Sequence, residues 1–193
     1  MKTLFFGIAV AAVAFTSCSD NNTQSKESAE KSSDTTQTNM QVNNTEEKKS
    51  KLSKEVIASY LQLKNALAND NAKGAATAGK AISDAIQQMD DGSLTAEQKK
   101  VYDDVKEDIK EHGEHISGNG DKIAHQREHF DMLSEGTYDL IKAIGSDQTL
   151  YKDYCPMYND GKGANWLSEV KEIRNPYLGK KMPTCGSVKE EIK

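Results

Sequence analysis

The chain has 193 residues, a net charge of −5 and a mean hydropathy of −0.75. No basic face emerges, which argues against a nucleic-acid partner, and no apolar run after the N-terminal segment is long enough to cross a membrane. The chain beyond residue 50 is long enough for one domain with a sizeable core.

Residues 1–18, MKTLFFGIAVAAVAFTSC, read as a targeting segment. Lys2 supplies a positive start, the run from Leu4 to Phe15 is apolar but too short to span a bilayer, and Thr16 and Ser17 precede a Cys. Cys18 therefore reads as the lipid-bearing Cys of a bacterial lipoprotein, with Phe15 where such signals usually carry Leu. The alternative is an ordinary cleaved secretory signal with an incidental Cys. Either way the mature chain leaves the cytoplasm; on the lipoprotein reading Cys18 ties it to a membrane of the cell envelope, periplasmic or at the cell surface. Residues 19–50 are Ser, Thr, Asn, Gln, Lys and Glu with almost nothing apolar. Such a segment buries too little surface to offset its ordering entropy and reads as a disordered tether. Residues 51–193 are then the folded domain.

Four segments carry helical periodicity. The first repeats Val56, Tyr60, Leu63 and Leu67, widened by Ile57 and Leu61, and ends at Asn69-Asp70-Asn71. The second places Ala75, Gly79, Ile82, Ile86 and Met89 on one face, and its small residues would let a neighbouring helix approach closely. Thr95 to Gln98 opens the third as a capping box, with Val101, Val105, Ile109, His112 and Ile116 as its stripe. Asp121 is the expected N-cap of the fourth, which presents Ile123, Phe130, Leu133, Thr137, Ile141 and Ile144 and stops at Gly145. Short connections favour antiparallel neighbours, so the predicted fold is all-α: an up-down four-helix bundle. The tail, 146–193, shows Gly, Asn and Pro punctuation and no long period. It reads as irregular coil with one or two brief strands and a short helix within Asn165–Arg174, packed across the bundle through Tyr154, Tyr158, Trp166, Leu167, Ile173, Tyr177 and Leu178.

The chemistry-bearing residues are concentrated. All four His lie between positions 112 and 129, as His112/His115 on the third helix and His125/His129 on the fourth. These spacings put each pair on one helical face, and antiparallel packing allows a cluster of imidazoles at one end of the bundle. His125, His129 and Met132 share a second face of the fourth helix, with Gly136 one turn on giving room for the tail to lie across. Cys155 and Cys185 lie in that tail, beside Met157 and Met182. Thiolate, thioether and imidazole together suit Cu(I) and Ag(I) better than hard cations.

The bland readings stand beside these. Each His could be a core or solvated residue, and Cys155–Cys185 could be a disulfide in an oxidising compartment, closing a loop of about thirty residues worth roughly 3–4 kcal/mol. No HExxH, CxxC, GxSxG or phosphate-binding loop is present, and the run DDVKEDIKE reads as a solvated, salt-bridged helix surface. The expectation is a protein that is not an enzyme.

The series R-x-x-F-x-x-L-S at Arg127–Ser134, YCPM at Tyr154–Met157, WLS at Trp166–Ser168 and I-x-N-P-Y-x-G-x-x-M-x-x-C-G at Ile173–Gly186 resembles domain of unknown function 3347. By that resemblance the family pattern extends over essentially 51–193. The resemblance implies a periplasm-facing helical domain of a kind common in Bacteroidetes, found in single lipoproteins and attached to adaptor subunits of heavy-metal efflux pumps. It implies Cys155, Met157, Met182 and Cys185 as soft ligands for Cu(I) or Ag(I), with His125 and His129 as contributors and an efflux adaptor as partner. YCPM is also similar to the start of a heavy-metal-binding motif of copper pumps, except that Tyr158 stands where that motif has His. The other expectation is a structural or protein-interaction module with a Cys155–Cys185 disulfide and no metal.

Overall fold

The computed structural model describes residues 53–193. The predicted signal segment with Cys18 and the tether 19–50 lie outside the described residues. Four helices, α1 (Lys54–Ala68), α2 (Ala72–Gln88), α3 (Ala96–Gly118) and α4 (Ile123–Ile144), pack each against the next in chain order.

On α1 and α2 the expected stripes are the buried faces. Val56, Ile57, Tyr60, Leu63 and Leu67 are buried on α1, and Ala75, Gly79, Ile82 and Ile86 on α2, with Met89 buried just past its end. On α3 the buried face is rotated from the expected one. Tyr102, Ile109, Gly113 and Ile116 are buried, whereas Val101, Val105 and His112 are only half-buried. The predicted capping box is present, Thr95 Oγ1 accepting from the Gln98 amide and Gln98 Oε1 from the Thr95 amide. Asp121 does not cap α4: that helix opens one residue later, behind Lys122, with no side-chain cap. Gly145 ends it at φ 88, a left-handed conformation that favours glycine.

Helices α2 and α3 touch backbone to backbone where Gly79 faces Gly113. A Cβ on either glycine would sit 2.8 Å from the carbonyl oxygen of the other. Overpacking at such a seam costs about 1–3 kcal/mol, more than the up to about 1 kcal/mol that Ala gains over Gly in a helix. Gly79→Ala is therefore expected to lower stability by about 1–2 kcal/mol, whereas Gly118→Ala, which would meet nothing within 4 Å, should not. Urea midpoints of the two variants check this, and equal midpoints would remove the close-packed seam.

The tail departs most from expectation. It is not irregular, and the chain is not all-α. β1 (Leu150–Cys155), β2 (Ala164–Ser168) and β3 (Ser187–Ile192) form a three-stranded antiparallel sheet in the order β2-β1-β3. The helix expected within Asn165–Arg174 is absent; its first residues are β2. Two features hid the sheet. The register shifts between Lys152 and Asp153, so the buried residues of β1 are Leu150, Asp153 and Cys155 rather than alternate positions. β3 is also mostly exposed, and its partner strand lies over thirty residues away.

The sheet docks on the bundle through β2, which contacts both α1 and α4. Tyr60 joins the three elements: its hydroxyl pairs with Ser134 Oγ at 2.7 Å and accepts from the Leu167 amide at 3.0 Å. Phe130 stacks on Tyr60 and packs against Tyr177, which meets Tyr158 and Trp166 in turn. Arg127 donates to the Pro176 and Leu67 carbonyls and pairs with Asp70 at 2.6 Å. The spaced residues Arg127, Phe130, Leu133 and Ser134 are thus the seat of the tail, or core beside it.

Candidate functional site

Two clusters of metal-ligating side chains emerge, on different elements. The first is sulfur. Cys155 ends β1 fully buried, and Cys185, half-buried, precedes β3; both are free thiols with sulfurs 3.4 Å apart. Asn175 holds this turn in place. Buried in the NPY segment, it accepts from the amides of Tyr177 and Leu178 and donates to the Cys185 carbonyl at 2.6 Å. The Cys185 amide donates to the Met182 carbonyl at 3.2 Å. Burial and then the Cys155 thiol push the Cys185 thiol up from its ordinary value, and the Met157 main-chain amide acts against them. The two Met are thus beside the thiols in the chain, Met157 57% exposed and Met182 half-buried.

The second cluster is imidazole. His112 and His115 of α3 meet His125 and His129 of α4, with His129 at the centre. Its Nδ1 lies 3.0 Å from His112 Nδ1 and its Nε2 lies 3.2 Å from His125 Nε2. The His115 ring stacks on it at 4.4 Å between centroids. One set of tautomers satisfies the run without any charge: His112 Nδ1–H donates to His129, His129 Nε2–H to His125, and His125 Nδ1–H to Glu128 at 3.0 Å. Burial lowers His112 and His129 below the ordinary imidazole value, and the other three imidazoles lower His129 further.

The expected mixed site of sulfur and imidazole is not assembled. Among the described residues, the group of three or more metal-ligating side chains whose ligand atoms lie mutually within 4.8 Å is His115, His125 and His129, with no sulfur in it. Helix geometry gives the reason. His129 and Arg127 are two residues apart, about 200° around α4, and Arg127 grips the tail while His129 faces α3. Gly136 likewise makes room for α3: a Cβ there would meet Ile109 at 3.2 Å. Met132, on the His face, is 46% exposed. His125 and His129 therefore join His112 and His115, not Cys155 and Cys185. The i,i+3 and i,i+4 spacings announced this pairing, although His115 was not among the expected ligands.

A third group, unannounced by any motif, joins the sheet to the first helix. Lys64 is fully buried with its Nζ 2.6 Å from Glu169 Oε2, and Asn65 donates to Glu169 Oε1 at 2.9 Å. Asp153 is fully buried, and neither carboxylate oxygen has a hydrogen-bond partner.

Residues 56–149 match the model of a family described as protein of unknown function, DUF3347. This stretch is a DUF3347 domain. The match spans nearly all of the four helices and stops just before Leu150, so the DUF3347 model includes the imidazole cluster and the Arg127–Ser134 seat but neither tail thiol. That is narrower than the extent of 51–193 expected from the tail motifs. No curated protein and no solved structure matches the chain. Among the described residues, no helix is long and apolar enough to cross a membrane.

Proposed function

We propose that the protein is a lipoprotein anchored through Cys18 outside the cytoplasm, which binds Cu(I) or Ag(I) at Cys155 and Cys185 and buffers the ion or passes it to an efflux adaptor. Its four DUF3347 helices run up and down as a bundle that carries the thiol-bearing sheet. The observation that carries the reading is the pair of free sulfurs 3.4 Å apart, with Met157 and Met182 beside them. Thiolate and thioether are the ligands that select soft monovalent ions. Both thiols lose their protons on binding, which offsets part of the affinity. A buried sulfur on a hydrogen-bonded strand and a second on a turn held by Asn175 make a preformed pair.

Titrating the reduced full chain with Cu(I) against a competing chelator tests this. One tight equivalent is expected, weakened by more than about 100-fold in Cys155→Ser/Cys185→Ser, beyond what outer-sphere changes cost. Cys155→Ser/Met157→Leu should be weakened as well. Equal affinity in parent and variants would sink the assignment. The same short separation favours a second reading, a Cys155–Cys185 disulfide in a structural or interaction module. Thiol counting on protein taken from the cell envelope separates the two: no free thiol and no retained metal favours the disulfide.

A further inference from the structure

We propose that His115, His125 and His129, with His112 behind them, form a second metal site, for a divalent ion of imidazole preference such as Cu(II), Zn(II) or Ni(II), independent of the tail thiols. Every histidine of the chain is in this cluster, with His129 pairing through both of its nitrogens with other imidazoles and His115 stacked on it. Three nitrogens mutually within 4.8 Å, with no thiolate or carboxylate in the set, suit borderline divalent ions, whereas Cu(I) and Ag(I) prefer the sulfurs.

The cluster has the surroundings of a ligand set. His125 carries Glu128 on its other nitrogen at 3.0 Å, and Glu111 lies 3.7 Å from His115. Metal-ligating imidazoles commonly carry such carboxylates, which orient the ring and raise its basicity. The two helices are locked together beside the cluster. Gln126, fully buried next to His125, donates to the Ile116 carbonyl of α3 at 3.1 Å and to the Ala72 carbonyl at 3.0 Å. Ligands on two regular elements joined at that point are preorganised, which loops would not achieve. The His115 and His125 side chains are 48% and 42% exposed, giving the ion a path from solvent. Three protein ligands with one side open also leave a position for water or for a group on a partner.

The experiment uses the full chain in detergent, without an oligohistidine tag, titrated with Cu(II), Zn(II) and Ni(II) by calorimetry. Nitrogen hyperfine structure in the Cu(II) electron paramagnetic resonance spectrum gives an independent readout. One equivalent is expected, weakened by more than about 100-fold in His115→Ala/His125→Ala and by about 10-fold in Glu128→Gln, the range of outer-sphere changes. Both histidines are partly exposed, so the double variant should melt as the parent does. Cys155→Ser/Cys185→Ser should bind the divalent ions as the parent does, which separates failure here from failure of the thiol site. Absence of binding, binding indifferent to the histidine substitutions, or binding lost with the cysteines would each overturn the proposal.

Discussion

Replacing Glu169 with Ala is expected to destabilise the fold by about 3 kcal/mol, the lower end of the range for breaking a buried ion pair. The lower end applies because Glu169 keeps 31% of its side chain in water while Lys64 keeps none. Burial pushes the Glu169 carboxyl up, yet the Asn65 amide and the Lys64 ammonium outweigh it and hold the group below its ordinary value. Without Glu169, Lys64 is left in the interior at 0% exposure with no acceptor of its own. The double change Lys64→Met/Glu169→Leu removes both charges and should recover most of the loss, since an apolar pair of similar volume is about as stable as a buried ion pair. Urea denaturation at fixed pH measures both. A Glu169→Ala midpoint indistinguishable from the parent would mean that Lys64 reaches water and that the ion pair holds nothing together.

The second large effect is a fall in stability with rising pH, the largest part of which Asp153→Asn removes. Burial raises the Asp153 carboxyl to about 7, Glu169 adding to the rise and Lys64 opposing it. The folded chain then keeps a proton that the unfolded chain, with a carboxyl near 3.8, gives up. Between those two values the folded state binds more protons, so stability decreases as pH rises from about 4 to about 7 and levels off above. At about 1.4 kcal/mol per unit the whole loss is about 4 kcal/mol. Asp131, raised to about 6 by burial, acts in the same direction, whereas the lowered His112 and His129 act the opposite way. The parent-minus-variant difference isolates Asp153. Asp153→Asn should be the more stable protein at pH 8 and lose that advantage near pH 4. A difference that stays constant from pH 4 to pH 8 would show that Asp153 does not titrate in this range. Because Lys64 lowers the Asp153 carboxyl and Glu169 raises it, the two predictions are coupled. Above about pH 7, where Asp153 is ionised, Asp153→Asn should enlarge the cost of Glu169→Ala by removing the remaining counter-charge.

The helices were legible because each depends on near neighbours in the chain. A stripe at steps of three and four needs only an apolar face to cover, and a capping box or a terminal glycine satisfies backbone groups within one turn. The meeting of the four imidazoles was readable for the same reason, since two short-range pairs lie on helices joined by a tight turn. The seat of the tail was not: the face of α4 expected to take it, with His129 and Gly136, is covered by α3, and the tail docks at Arg127 instead. Tertiary structure decided everything that required a distant partner. The sheet rests on β1–β3 pairing across more than thirty residues and on a register shift that breaks the alternation of β1. Lys64 and Asp153 look like ordinary surface residues until the sheet docks on the bundle, because burial of a charge belongs to the packing and not to its local sequence. Sulfur met sulfur rather than imidazole because opposite sides of α4 were taken by different neighbours, the tail at Arg127 and α3 at His129. Composition alone carries no record of which side each neighbour takes.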